Sequence, residues 1–84
     1  PLSNNVFSFN DVQIYPNPNK NNKLFISTTS DLDVVIYSVL GKLVLTNTIN
    51  SNKNYIDISQ LNKGIYILKL INGEQSTTKK LIRQ

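Results

Sequence analysis

The segment Leu61-Asn62-Lys63-Gly64-Ile65-Tyr66-Ile67-Leu68-Lys69-Leu70-Ile71-Asn72-Gly73 reads as a turn, a buried strand and a second turn in direct succession. Gly64 stands two residues before Tyr66, and Leu61 three before Gly64. A glycine at that place lets the chain bend sharply from one sheet to another. The tyrosine can then pack its ring inward and return its hydroxyl to the backbone a few residues upstream, the tyrosine corner of Greek-key β-sandwiches. Successive strand side chains point to opposite sides, so Tyr66, Leu68 and Leu70 share one face and Ile65, Ile67 and Ile71 the other. Asn72-Gly73 suits a two-residue type I′ turn, which needs positive φ at both central positions. A hairpin and a closing strand over Ser76–Ile82 are expected beyond it.

Upstream of the corner the pattern is of short strands. Val12-Gln13-Ile14-Tyr15 alternates and then meets Pro16-Asn17-Pro18. Each proline restricts the residue before it and offers no N–H, which suits a rigid turn at a sheet edge that runs on through Asn19 to Asn22. Leu24-Phe25-Ile26-Ser27 predicts a strand with Leu24 and Ile26 on one face. Ser30-Asp31-Leu32-Asp33 predicts a polar turn. The β-branched and aromatic run Val34-Val35-Ile36-Tyr37 predicts the next strand. Ser38-Val39-Leu40-Gly41 turns back, with Gly41 suited to a left-handed position, and Leu43-Val44-Leu45 returns. Asn50 to Asn54 reads as a loop and Tyr55-Ile56-Asp57-Ile58 as a short strand leading into the corner. No helical period of apolar residues is sustained. The expectation is an all-β, immunoglobulin-like antiparallel sandwich of about seven strands with Greek-key connections.

A chain of 84 residues is a single domain with a thin core. Pro1 to Asn10 is polar apart from Leu2, Val6, Phe7 and Phe9. Residues 1–11 are expected to be a linker from an upstream passenger, with Val6 to Phe9 as an irregular first strand at most, and residues 12–84 the domain. The sequence has no methionine and begins at Pro1, so it reads as a piece of a longer protein, with any export signal upstream. No apolar run approaches the roughly 18 residues of a membrane span. Without cysteine there is no disulfide and no thiolate metal site.

The net charge of +4 is mild and its lysines are scattered, except where Lys79, Lys80 and Arg83 gather. Nucleic-acid binders concentrate such residues in one stripe, so no nucleic acid is expected. With no histidine, the usual neutral-pH base is missing, and no catalytic residue is assigned. Asp31 and Asp33 lack the longer Asp/Asn spacing of a calcium loop, so neither a metal nor a cofactor is expected. A glycan platform would need exposed aromatics. There is no tryptophan, and Tyr15, Tyr37 and Tyr66 are expected in the core or the proline turn, which leaves Tyr55 alone for exposure. Two features are not absorbed by packing: the isoleucine face Ile65, Ile67 and Ile71, and the basic-apolar terminus Lys79-Lys80-Leu81-Ile82-Arg83. Apolar patches of that kind mark partner surfaces unless loops cover them.

Three motifs in order, Tyr15-Pro16-Asn17-Pro18, Tyr37-Ser38-Val39-Leu40-Gly41-Lys42-Leu43-Val44 and Leu61-Asn62-Lys63-Gly64-Ile65-Tyr66, resemble the C-terminal sorting domain of type IX secretion cargo. The closing Lys79-Lys80-Leu81-Ile82 also resembles it, and the likeness covers about Val12 to Gln84. The family often has Asp or Asn at the position of Ser38, and often a glycine where Asn19 to Asn22 stand. The resemblance implies a folded export address of Bacteroidetes that is recognised in the periplasm and by the outer-membrane translocon. It also implies removal by a surface sortase, which releases the passenger or anchors it at the surface. On this chain the implied partner-recognition residues are Gly41, Gly64 and Lys79 to Arg83. The implied partners are the translocon and the shuttle and sortase proteins of the outer membrane. A non-catalytic accessory module of a surface enzyme or adhesin, binding glycan or protein, is the alternative, and an inert spacer is a third reading.

Overall fold

The computed structural model describes residues 9–84. After a 3-10 turn, Phe9–Asp11, seven strands follow: β1 (Gln13–Tyr15), β2 (Lys23–Ser27), β3 (Leu32–Ser38), β4 (Leu43–Ile49), β5 (Tyr55–Asp57), β6 (Gly64–Asn72) and β7 (Gln75–Arg83). They form a three-stranded sheet in the order β1-β2-β5 and a four-stranded sheet in the order β4-β3-β6-β7, every pairing antiparallel. The all-β sandwich is as the sequence predicts. Its fourth strand pairs with β3, whereas in the immunoglobulin constant arrangement it joins the sheet of the first, second and fifth strands.

The core lies between the sheets and is nearly all aliphatic. Leu24 and Ile26 of β2 and Ile56 of β5 face Val34, Ile36, Leu68, Leu70 and Leu81 of the larger sheet, each at most 1% exposed. Alternation along each strand produces this directly. In β6, Tyr66, Leu68 and Leu70 are buried while Ile65 is exposed and Ile67 and Ile71 are half-buried. Fully burying an aliphatic side chain is worth about 1.5–3 kcal/mol, and in so thin a sandwich these few layers carry the fold. Phe9 packs against the same core from the 3-10 turn. Of the irregular strand expected over Val6–Phe9, all but Phe9 lies outside the described residues.

The corner is formed. Tyr66 donates its hydroxyl hydrogen bond to the Asn62 carbonyl at 2.8 Å. Gly64, at φ +150°, opens β6 in a backbone region that is essentially confined to glycine.

Four details differ from the sequence reading. Asn72 pairs with Gln75, so the loop residues of the β6–β7 hairpin are Gly73 and Glu74. Only Gly73 has positive φ, +60°, which is the pattern of a type II′ turn and not a type I′ turn centred on Asn72-Gly73. The supposed polar turn at Ser30–Asp33 is shorter: Leu32 is buried and already opens β3. β4 runs on to Ile49, whose side chain closes the core. Tyr15 is the exposed tyrosine, at 46%, while Tyr55 is half-buried.

Candidate recognition surface

The register brings the segments implicated by the sequence to one end of the four-stranded sheet. Ser38 pairs with Tyr66, and Tyr66 with Leu81. The β3–β4 hairpin around Gly41, the start of β6 at Gly64, and Arg83, which pairs with Gly64, therefore share that end. Gly41 has φ +90°, and its N–H donates to the Ser38 carbonyl at 2.9 Å while the Ser38 N–H donates to the Lys42 carbonyl at 2.8 Å. This closes the hairpin tightly and leaves Val39 66% and Leu40 93% exposed at its tip.

The closing strand divides its side chains between two environments. Lys79 and Leu81 lie opposite Leu68 and Tyr66 and share their inward face, because directly opposed residues project to the same side. Leu81 is fully buried and Lys79 half-buried. Lys80 and Ile82 lie opposite Ile67 and Ile65 on the outward face. Lys79 and Lys80 thus form no common basic patch.

The Pro-Asn-Pro segment is what holds this strand. Both Tyr15–Pro16 and Asn17–Pro18 peptide bonds are cis. Asn17 Nδ2 donates to the Lys80 carbonyl at 2.8 Å, and its Oδ1 accepts from the Ile82 N–H at 3.1 Å. The Asn19 N–H donates to the Ile82 carbonyl at 2.7 Å, and the Asn19 carbonyl accepts from the Gln84 N–H at 2.8 Å. Asn19 is the one fully buried polar residue among those described. Its Nδ2 donates to the Lys23 carbonyl at 3.0 Å and its Oδ1 accepts from the Asn21 N–H at 2.7 Å. Arg83 completes the clasp: its guanidinium donates to Asn19 Oδ1, to the Asn21 carbonyl and to the Leu61 carbonyl. Of the Tyr15-Pro16-Asn17-Pro18 motif it is Asn17 that bonds directly to β7, while Tyr15 stacks on Phe25 in the smaller sheet. From sequence alone Asn19 was only a turn residue, since a contact across 64 positions leaves no local signal.

The outward face of the large sheet is apolar at the same end. One row crosses all four strands as Leu43, Tyr37, Ile67 and Lys80, and the next holds Ile65 and Ile82. Leu43 is 53% and Ile65 45% exposed. Toward the other end the rows turn polar, with Thr46, Val35, Lys69 and Thr78, then Thr48, Asp33, Ile71 and Ser76.

On the smaller sheet the outward residues Tyr15, Phe25 and Tyr55 form a cross-strand ladder. Tyr15 stacks on Phe25 with ring centroids 5.6 Å apart, and Phe25 meets Tyr55 at 6.1 Å. The ammonium of Lys23 lies 4.7 Å from the centre of the Tyr55 ring. These rings cover one another. A cleft of about 370 Å³ beside them is lined by polar groups, among them Asn22, Asn47, Lys53 and Asp57. The hydrogen bond from the Ser59 N–H holds the Asp57 carboxyl below its ordinary pKa, with the Ser59 side chain and the Lys23 charge adding to the effect. Among the described residues no group of three or more metal-ligating side chains occurs, and no helix is long and apolar enough to cross a membrane.

The fold is an all-β antiparallel sandwich, and the outward face of its larger sheet is apolar at the end that carries the β3–β4 hairpin. The chain matches the family of the secretion system C-terminal sorting domain over residues 13–84, and it belongs to that family of type IX secretion signals. Members are sorting signals for export to the cell surface or the medium. Comparison with curated proteins finds none that matches.

Proposed function

We propose that residues 12–84 are the address, and residues 1–11 the linker to an upstream passenger. The passenger travels through the periplasm and is delivered across the outer membrane by the type IX translocon. Recognition is by protein–protein contact, without cofactor or catalysis by this chain, and a surface sortase removes the domain afterwards. The observation that carries this reading is the family match over nearly the whole domain. The convergence of Gly41, Gly64 and the closing strand at one sheet end supports contact there. In this reading Lys80 and Ile82 are available to a partner, Gly41 and Gly64 shape the backbone that presents them, and Lys79, Leu81 and Arg83 hold the strand in place.

The test fuses Pro1–Gln84 to the C-terminus of a fluorescent protein carrying a signal peptide. Fluorescence on the surface or in the medium of a type IX-competent host, and not of a translocon-deficient mutant, is the expected result. Retention of an intact, folded fusion in the periplasm of both strains would sink the proposal.

A further inference from the structure

We infer that the outward face of the β4-β3-β6-β7 sheet, at the end bearing the β3–β4 hairpin, docks against a protein surface that is apolar with an acidic rim. This deepens the sorting-domain reading and rests on it. The apolar part is continuous: Leu43, Tyr37 and Ile67 lie in one row, Ile65 and Ile82 in the next, and Val39 and Leu40 project beyond. Exposed aliphatic residues gathered in this way mark an interaction surface, whereas single ones are ordinary.

The rim gives the partner its sign. Lys80 ends the Leu43–Tyr37–Ile67 row, Lys69 follows Ile67 on the same face, Lys42 adjoins Leu43, and Lys63 precedes the corner glycine. The carboxylates lie elsewhere. Asp33 pairs with Ile71 toward the far end, Asp31 precedes β3 at that end, and Glu74 sits in the far hairpin. Asp11 and Asp57 belong to the 3-10 turn and to the smaller sheet. A surface with lysines around an apolar centre and no Asp or Glu side chain beside it is complementary to an apolar groove edged by carboxylates. A bilayer also has apolar and anionic parts, but it takes up side chains that protrude. Here Val39 and Leu40 stand out at the hairpin tip, but Leu43 and Ile65 are only about half exposed and Tyr37, Ile67 and Ile82 are half-buried within the sheet, a face that a rigid apolar surface covers better.

The fluorescent fusion tests the inference with three alterations. Leu40→Asp/Leu43→Asp places charge in the patch at exposed positions, and Ile65→Thr keeps a β-branched residue there while removing apolar area. Lys42→Glu/Lys80→Glu reverses the rim, with Lys42→Arg/Lys80→Arg as its charge-preserving partner. Thermal melts of the purified chain select variants that keep the parent's transition. Each disruptive change is expected to lower export about tenfold, the scale of one lost interface anchor. Ser27→Asp on the other sheet is expected to export as the parent does, and the arginine pair is expected to export more than the glutamate pair. Parent-like export of folded Leu40→Asp/Leu43→Asp and of Ile65→Thr overturns the surface while leaving the sorting reading intact. Failure of the parent itself overturns both. Flotation of the chain with phosphatidylglycerol-containing vesicles, abolished by Leu40→Asp/Leu43→Asp, overturns the protein partner in favour of a membrane.

Discussion

Asn19 and Arg83, 64 positions apart, meet as a parallel bridge, and Arg83 Nη1 donates to the fully buried Asn19 Oδ1 at 3.3 Å. The proline-rich turn and the last strand are thereby one structural unit. A buried amide of this kind is stabilising only while its partners are present, because an unpaired buried polar group carries its full desolvation penalty.

Replacing Asn19 by Ala strips the Lys23 carbonyl, the Asn21 N–H and Arg83 of a partner at once. We expect a loss of about 2–3 kcal/mol, read as a lower urea midpoint with an unchanged slope. Arg83→Ala is expected to cost less, and the double variant less than the sum, since the two side chains share a network. Strict additivity would show that the clasp is not a unit.

The corner separates hydrogen bonding from backbone strain. Tyr66→Phe removes the bond to the Asn62 carbonyl and should cost about 1 kcal/mol. Gly64→Val has open space around the new Cβ, so its cost is expected chiefly from φ +150° and should be about 1–3 kcal/mol. Unchanged melting temperatures in both variants would refute the corner.

How far such features could be read in advance depended on whether their cause is local. Gly64, Tyr66 and the alternation of β6 are set by residues within a few positions of one another, and the sequence exposes them. The hairpin after β6 shows the limit. Asn-Gly has a strong type I′ preference, yet the ladder register pairs Asn72 with Gln75 and moves the loop by one residue. Leu32 was obscured by its flanking aspartates, although it sits at an inward position of β3. The exposure of Tyr15, expected in the core or the proline turn, has a non-local cause too: its sheet has only three strands and the outward face of that sheet meets solvent. The Asn19–Arg83 clasp had no local trace at all.

The turn assignment has its own test. With only Gly73 at positive φ, Gly73→Ala is expected to destabilise by about 1 kcal/mol, and Asn72→Ala by much less. A type I′ turn centred on both residues would instead make Asn72 the more sensitive to a non-Asn, non-Gly substitution than an ordinary strand position.

Asp57 supplies a pH dependence. Its folded-state pKa lies below the ordinary 3.8, chiefly through the hydrogen bond from the Ser59 N–H. Its ionised form therefore favours the fold above the unfolded value, and that contribution is lost as pH falls through the folded one. The stability difference between the parent and Asp57→Ala is expected to be constant above about pH 5 and to shrink below 3.8. A difference that grew on acidification would reverse the sign assigned to this carboxylate.

The clasp also predicts how the address is read. Deleting Lys79 to Gln84 should abolish export, but it also removes Leu81 from the core and Arg83 from Asn19, so by itself it does not distinguish a terminal sequence from a folded surface. Asn19→Ala does, because it leaves every residue of the closing strand in place while loosening the strand's attachment. A loss of about 2 kcal/mol should lower the melting temperature by roughly 10 °C. If the translocon reads the folded sheet end, export of this variant follows its folded fraction and collapses near its lowered melting temperature, where the parent is still exported. If the terminal residues are read as an extended peptide, export stays at the parent's level through that interval. Measuring secretion of both fusions across the melting range of the variant decides between the two.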